Sequence, residues 1–224
     1  MIVNPNARVR VEMVAGVIPV LFIEDFYADP HEVRAEGLAG AFDQSIALYP
    51  GRHAPIETPA GRAVVAHVCN VLNHLGERIY EAETTVTDFS ILTTKAKDLL
   101  GAQKHPHIDP TPVLGLVYLN PGSSQGTCLF RNRLLGIHTV RTEDEKAALQ
   151  KFYQDEGPTY APDTYDLTGN PVWEKIFTIE GVFNRFVLYP GNVFHSIDVQ
   201  DVPPVFDINT ARLTQRFIVH RTHV

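Results

Sequence analysis

Lys104-His105-Pro106-His107-Ile108-Asp109-Pro110 is the densest run of polar chemistry in the chain. Side chains at i and i+2 of an extended segment point to the same face. His107 and Asp109 therefore present an imidazole and a carboxylate together, with Ile108 turned toward a core. His105 is a competitor: if Pro106 leaves the strand undistorted it shares the side of His107, and otherwise it is a supporting or surface residue. The segments that follow are short, β-branched and aromatic, and Gly, Pro and Asn divide them. They read as strands over residues 113–119, 127–131, 185–189 and 213–220, with a further one upstream at 85–93.

Working outward, residues 139–173 interrupt this texture as an insertion. It opens with Thr142-Glu143-Asp144-Glu145, a capping-box signature for a helix, and ends in a loop rich in Tyr, Pro and Gly. Toward the N-terminus the pattern is mixed. Residues 9–14 and 18–23 read as strands, Asp29-Pro30 as the cap and first position of a helix over 31–42, and Tyr49-Pro50-Gly51-Arg52 as a turn that either lines the entrance of the barrel or merely reverses the chain. Apolar residues at helical spacing (Val64, Val65, Val68, Val71, Leu72, Leu75, Ile79) predict a long amphipathic helix over 61–81. The expected fold class is α+β: a double-stranded β-helix, jelly-roll or cupin-like, over 86–224, buttressed by the helices of a supporting region at 1–85. At 224 residues, one domain is the expectation.

A second imidazole for His107 and Asp109 must come from elsewhere, and Val193-Phe194-His195-Ser196 offers one after a strand and a Tyr189-Pro190-Gly191 turn. Two histidines and one carboxylate make the facial triad that leaves positions open on non-haem iron(II). No His-Glu-x-x-His helix signature of zinc peptidases occurs. On the last strand Arg212, Thr214 and Arg216 share a face opposite Leu213, Phe217 and Val219. A guanidinium is a natural fork for a buried carboxylate; the other reading is an edge strand guarded by arginines.

Composition narrows the partners. The chain is 44% hydrophobic and 20% charged with a formal net charge of -7, which disfavours nucleic acid as a partner because phosphate binding draws on a basic face. Cys69 and Cys128 show no disulfide or zinc-knuckle spacing and read as reduced and buried, which fits a cytoplasmic location. Residues 13–23 imitate a signal peptide, but Pro19 interrupts them, Glu24 and Asp25 follow at once, and they are too short to span a bilayer.

The order of these pieces resembles the 2-oxoglutarate/Fe(II) dioxygenase superfamily, and its prolyl-hydroxylase-like branch most. The motifs that carry the likeness, over roughly residues 86–224, are His107-Ile108-Asp109, Tyr118-Leu119-Asn120, Gln125-Gly126-Thr127, His195 and Arg212-Leu213-Thr214. The resemblance implies an oxygenase of hydroxylase type using Fe(II), 2-oxoglutarate and O2, and releasing succinate and CO2. It implies His107, Asp109 and His195 as catalytic iron ligands. Arg212 would bind the distal carboxylate of 2-oxoglutarate, with Thr214 and Tyr118 assisting. Arg212 lies further beyond the distal histidine than the family pattern, which leaves Arg216 as a rival. The carboxylate of Asp109 fills the place a halide needs in a halogenase of the superfamily, so hydroxylation of a small molecule or peptide is the expected outcome. Two other readings stand beside it: a cupin-like jelly roll that binds a ligand without turnover, and a cupin-type metal enzyme that does not use 2-oxoglutarate. Arg131 and Arg133 read as mouth-facing or solvent-exposed, and the insertion as a lid or partner-binding element.

Overall fold

The computed structural model describes residues 1–44, 49–76, 80–122, 125–199, 202 and 206–220. Eleven strands and three α-helices are assigned among them. The strands are β1 (Arg8–Val14), β2 (Ile18–Glu24), β3 (Asp43–Gln44), β4 (Gly51–Pro55), β5 (Val86–Leu92), β6 (Val113–Tyr118), β7 (Gly126–Asn132), β8 (Trp173–Ile179), β9 (Phe186–Pro190), β10 (His195–Asp198) and β11 (Leu213–Val219). The helices are α1 (Pro30–Leu38), α2 (Pro59–Leu75) and α3 (Glu143–Asp155).

Local chemistry sets the helix starts. Asp29 accepts hydrogen bonds from the His31 and Glu32 amides with Pro30 in the first turn, Thr58 caps α2 through the Gly61 amide, and Thr142 and Glu145 form the expected reciprocal box on α3. The helix ends differ from expectation. α1 stops at Leu38 rather than 42, where the chain turns into β3, and α2 stops at Leu75. The remainder of the expected 61–81 helix falls partly on residues 77–79, outside the described residues.

The expected jelly-roll is not formed. One sheet has eight strands in the order β1-β2-β9-β6-β11-β5-β4-β3, the other has three in the order β10-β7-β8, and neither closes on itself or into a barrel. The reason lies in pairing. β1–β2 and β3–β4, assigned from sequence to a supporting region or a turn, add to opposite flanks of the large sheet and leave it open at both ends. The closed scaffold of both cupin-based alternatives goes with the jelly roll. β4, β8 and β10 were not legible as strands.

Side-chain alternation gives the sheets their layers. Phe186, Leu188, Val117, Leu213, Phe217 and Val219 face α1 and α2, joining Val33, Val64, Val65 and Val68. Leu114, Leu116, Tyr118, Val187 and Tyr189 face the small sheet and meet Leu129 and Ile179. The outer side of the small sheet, Cys128, Phe130 and Trp173, is covered by Leu149 and Phe152 of α3. The order is helices, large sheet, small sheet, helix; Thr214 and Arg216 of β11 lie on the face toward the small sheet, whereas Gln215 is on the helix side, bonded to Thr87. Both cysteines are buried and unpaired, and burial raises the Cys128 thiol to about 11. No helix of the described residues is long and apolar enough to cross a membrane.

Phe217 is fully buried where β11 meets both neighbouring strands and the helices. Phe217→Ala is expected to destabilise the chain by about 3–5 kcal/mol, read as a shift of the urea unfolding midpoint at unchanged slope.

Candidate metal centre and anion site

The segment carrying His107 and Asp109 belongs to no regular ladder. It is tied by a two-bond bridge, the His107 amide donating to the His195 carbonyl at 3.0 Å and the His195 amide donating back to His107 at 2.9 Å. The Asp109 amide then donates to the Gly191 carbonyl at 2.8 Å. A Cβ on Gly191 would stand 2.2 Å from the Thr111 carbonyl, so glycine is what lets the two segments run this close. His195 begins β10 and pairs with Leu129 of β7, which aims it between the sheets.

This bridge brings the three predicted ligands together: one ligand atom from each of His107, Asp109 and His195 lies within 4.8 Å of the others. The imidazole centroids are 4.5 Å apart, and His195 Nε2 lies 3.4 Å from an Asp109 oxygen. Nδ1 of His195 lies 3.0 Å from the Val193 carbonyl; donating there leaves Nε2 with its lone pair toward the cluster. His107 likewise has a backbone hydrogen bond to His105, yet burial, with the neighbouring His195, pushes its pKa down to about 4. Burial works to raise Asp109, but the hydrogen bond and charge of His195, with His107 and Arg216, outweigh it and hold the carboxyl well below the usual range. A neutral His107 beside an ionised Asp109 matches the protonation states a divalent cation requires of its ligands. Two nitrogens and one oxygen, all from one side, fit iron(II) with positions left open.

Arg212, Thr214 and Arg216 share the inner face of β11, as their spacing predicts, but their partners differ. Arg216 is committed: its Nε lies 3.2 and 3.3 Å from the two oxygens of Asp88, and its Nη2 2.6 Å from one of them. Asp88 is also held by Ser90 at 2.9 Å and by His53 Nδ1 at 3.0 Å. Arg212 is only 3% exposed and donates from Nη2 to the Gly126 carbonyl at 3.1 Å. Among the described residues no carboxylate lies within salt-bridge distance of it, and its Nε has no partner. Its guanidinium sits 5.8 Å from the centre of the Tyr118 ring, whose hydroxyl donates to Thr127 at 2.9 Å. Thr214, paired across the ladder with Tyr118, has a buried hydroxyl without a partner.

Two further tyrosines join this face. Tyr189 packs 5.2 Å from the His195 ring. Burial raises its hydroxyl far above the usual value, with the charge of Asp109 adding to the rise and that of Arg212 opposing it. Tyr49 lies close to Arg212 but not in hydrogen-bonding geometry, and burial raises it while the arginine partly offsets the rise. The hydroxyls of Tyr49 and Tyr189, like Nε2 of His53, are buried and unpartnered. Their only sequence signal was parity: Tyr189 alternates with Phe186 and Leu188, and Tyr49 gave none beyond its turn. Arg131 and Arg133 are exposed, spent on local carbonyls and Glu174. His105 is buried and faces away from the ligand cluster, against Trp173.

A fold of this layering with a His/Asp/His triad is consistent with the 2-oxoglutarate/Fe(II) oxygenase superfamily. The chain itself belongs to a family of unknown function, DUF6445, whose sequence pattern matches residues 5–219. Among solved structures it is similar to a prolyl hydroxylase from Trichoplax adhaerens, in complex with a hypoxia inducible factor oxygen degradation domain peptide fragment. That likeness has 13% identity, covers 90% of this chain and 83% of that one, and has a TM-score of 0.50; it is a likeness of fold. No curated protein matches the sequence.

The depressed pKa of His107 has a sign that can be checked. In the unfolded chain the imidazole takes its proton near 6.5, in the folded chain only near 4, so the unfolded state gains the proton first as pH falls. Stability of the metal-free protein is expected to decline from about pH 6.5 to about pH 4. Thermal unfolding across that window should show His107→Asn losing much of the decline.

Proposed function

We propose that this chain is an Fe(II)- and 2-oxoglutarate-dependent oxygenase that hydroxylates a small molecule or peptide. The observation that carries the reading is Arg212: a buried guanidinium with no carboxylate at salt-bridge distance among the described residues, reaching from the large sheet to Gly126 of β7, the strand that pairs with His195-bearing β10. A buried charge is costly unless paired, so the site is built for a ligand that brings a carboxylate. A second carboxylate-bearing end on that ligand reaches the cation position.

In this reading His107, Asp109 and His195 hold the iron, which when bound supplies dioxygen activation coupled to conversion of 2-oxoglutarate to succinate and CO2. Arg212 takes the far carboxylate through its free Nε, and Thr214 adds a hydroxyl donor. The ring of Tyr118 backs the guanidinium while its hydroxyl, spent on Thr127, remains able to accept. Arg216, neutralised by Asp88, is thereby the weaker rival for the carboxylate. Asp109 keeps a carboxylate on the metal, which favours hydroxylation over halogenation. The apolar walls from Leu116, Leu129 and Val187 keep the space between the sheets dry.

Adding Fe(II) and 2-oxoglutarate under anaerobic conditions is expected to produce a weak visible metal-to-ligand charge-transfer band. His107→Ala should abolish it. Arg212→Ala should weaken 2-oxoglutarate binding roughly 30-fold or more, the scale for removing one member of a buried charge pair, while Arg216→Lys changes it far less. Iron binding without the band would reject 2-oxoglutarate as the co-substrate.

A further inference from the structure

The strap that carries His107 and Asp109 is held to the small sheet by very little backbone. Apart from the two-bond bridge to His195 and the Asp109 amide, its supports come from the insertion. Tyr153 of α3 donates its hydroxyl to the Pro106 carbonyl at 2.8 Å, one residue from a ligand. Trp173 donates its indole N–H to His105 Nδ1 at 3.2 Å, and the other side of that imidazole hydrogen-bonds to the Gly157 backbone. Accepting from the indole requires a lone pair on Nδ1. The His105 ring is enclosed by Phe152, Tyr153 and Trp173, with centroids 6.1, 5.9 and 6.3 Å away.

The same element grips the other histidine. Trp173 meets Phe194, the neighbour of His195, edge-on at 5.1 Å. At the start of the insertion the Val140 amide donates to the Asn192 carbonyl at 2.9 Å, and the Asn192 side chain returns a bond to Val140 at 2.8 Å. Ile108, between the two ligands of the strap, packs into this cluster with Phe194, Phe152 and Trp173. One indole thus touches the neighbours of both histidines.

We infer that residues 139–173 are a positioning platform for the metal centre, with Trp173, Tyr153 and His105 setting the separation of His107 and His195. The element is neither a lid nor a docking arm: its buried face is spent on the ligand-bearing segments. None of the three residues touches the cation. They act by fixing the two strands of backbone from which the imidazoles project, as outer supports of metal sites do. This rests on the triad being a metal site, and does not depend on 2-oxoglutarate.

The test is Co(II) and Mn(II) binding to the full chain by calorimetry, with the Co(II) visible spectrum and thermal unfolding recorded alongside. Tyr153→Phe and Trp173→Phe, each of which keeps an aromatic ring, are expected to weaken Co(II) by about 3- to 10-fold, the equivalent of one hydrogen bond, and to shift its ligand-field bands. His105→Asn, which keeps an acceptor for the indole, should be closer to wild type than His105→Leu. Lys146→Ala, on the exposed side of α3, should change neither affinity nor spectrum. Unaltered affinity and bands in Tyr153→Phe overturn the inference even if Trp173→Phe does not fold. A wild-type chain that binds neither ion overturns the metal reading and this one with it; a wild-type chain that binds both while every variant matches it overturns this one alone.

Discussion

Two backbone hydrogen bonds between His107 and His195 join segments 88 positions apart in the chain, and the site exists only because they form. They bring the imidazoles together, tilted by 52° with centroids 4.5 Å apart, and put the carboxylate of Asp109 beside them. Neither segment gains these bonds from a long ladder, so the register cannot slip and be corrected by neighbouring pairs. The close approach at Gly191 and the aromatic cluster behind His105 both bear on this one junction. The burial that results lowers the pKa of His107, and so leaves its lone pair available.

The inner face of β11 shows how partnering sorts chemically identical groups. Arg212 and Arg216 are four residues apart on one face of one strand. Asp88 on the adjacent strand pairs with Arg216 across the ladder, and Ser90 and His53 complete that network. Arg212 sits past the end of that network, where the strand opposite offers no acid. The difference lies entirely in what β5 presents, and it separates a structural ion pair from a cation in want of a ligand.

Much of the ligand set was legible because it depends on local period. The i, i+2 relation of His107 and Asp109 and of Arg212 and Thr214 needs only extended backbone, which β-branched neighbours announce. His195 was found because a strand and a Pro-Gly turn preceded it. What stayed hidden depends on partners distant in sequence. β4 and β10 are too short to carry a period, and β8 begins on the last residue of the insertion, Trp173, with its remainder assigned to no element. The closure of the sheets was misjudged because alternation tells which residues form strands and not which strands pair. Tyr49 and Tyr189 reach the site by tertiary placement, and His105 is drawn away from the ligand cluster into an aromatic nest of Phe152, Tyr153 and Trp173.

The open sheets bear on how much enclosure the site needs. Between β6, β9 and β11 on one side and β7 and β10 on the other, the two layers already bury Tyr118, Thr214, Tyr189 and His195. Strands β1–β4 add width at the flanks, where the turn before β4, with Tyr49, and His53 of β4 contribute buried polar groups to the inner face. The site therefore draws its dryness from two facing layers plus the platform beneath the small sheet. That division explains why the platform is attached to the small sheet: three strands alone are too narrow to hold two ligand-bearing segments in register, whereas the eight-stranded partner is braced by α1 and α2 and holds its arginines without further help.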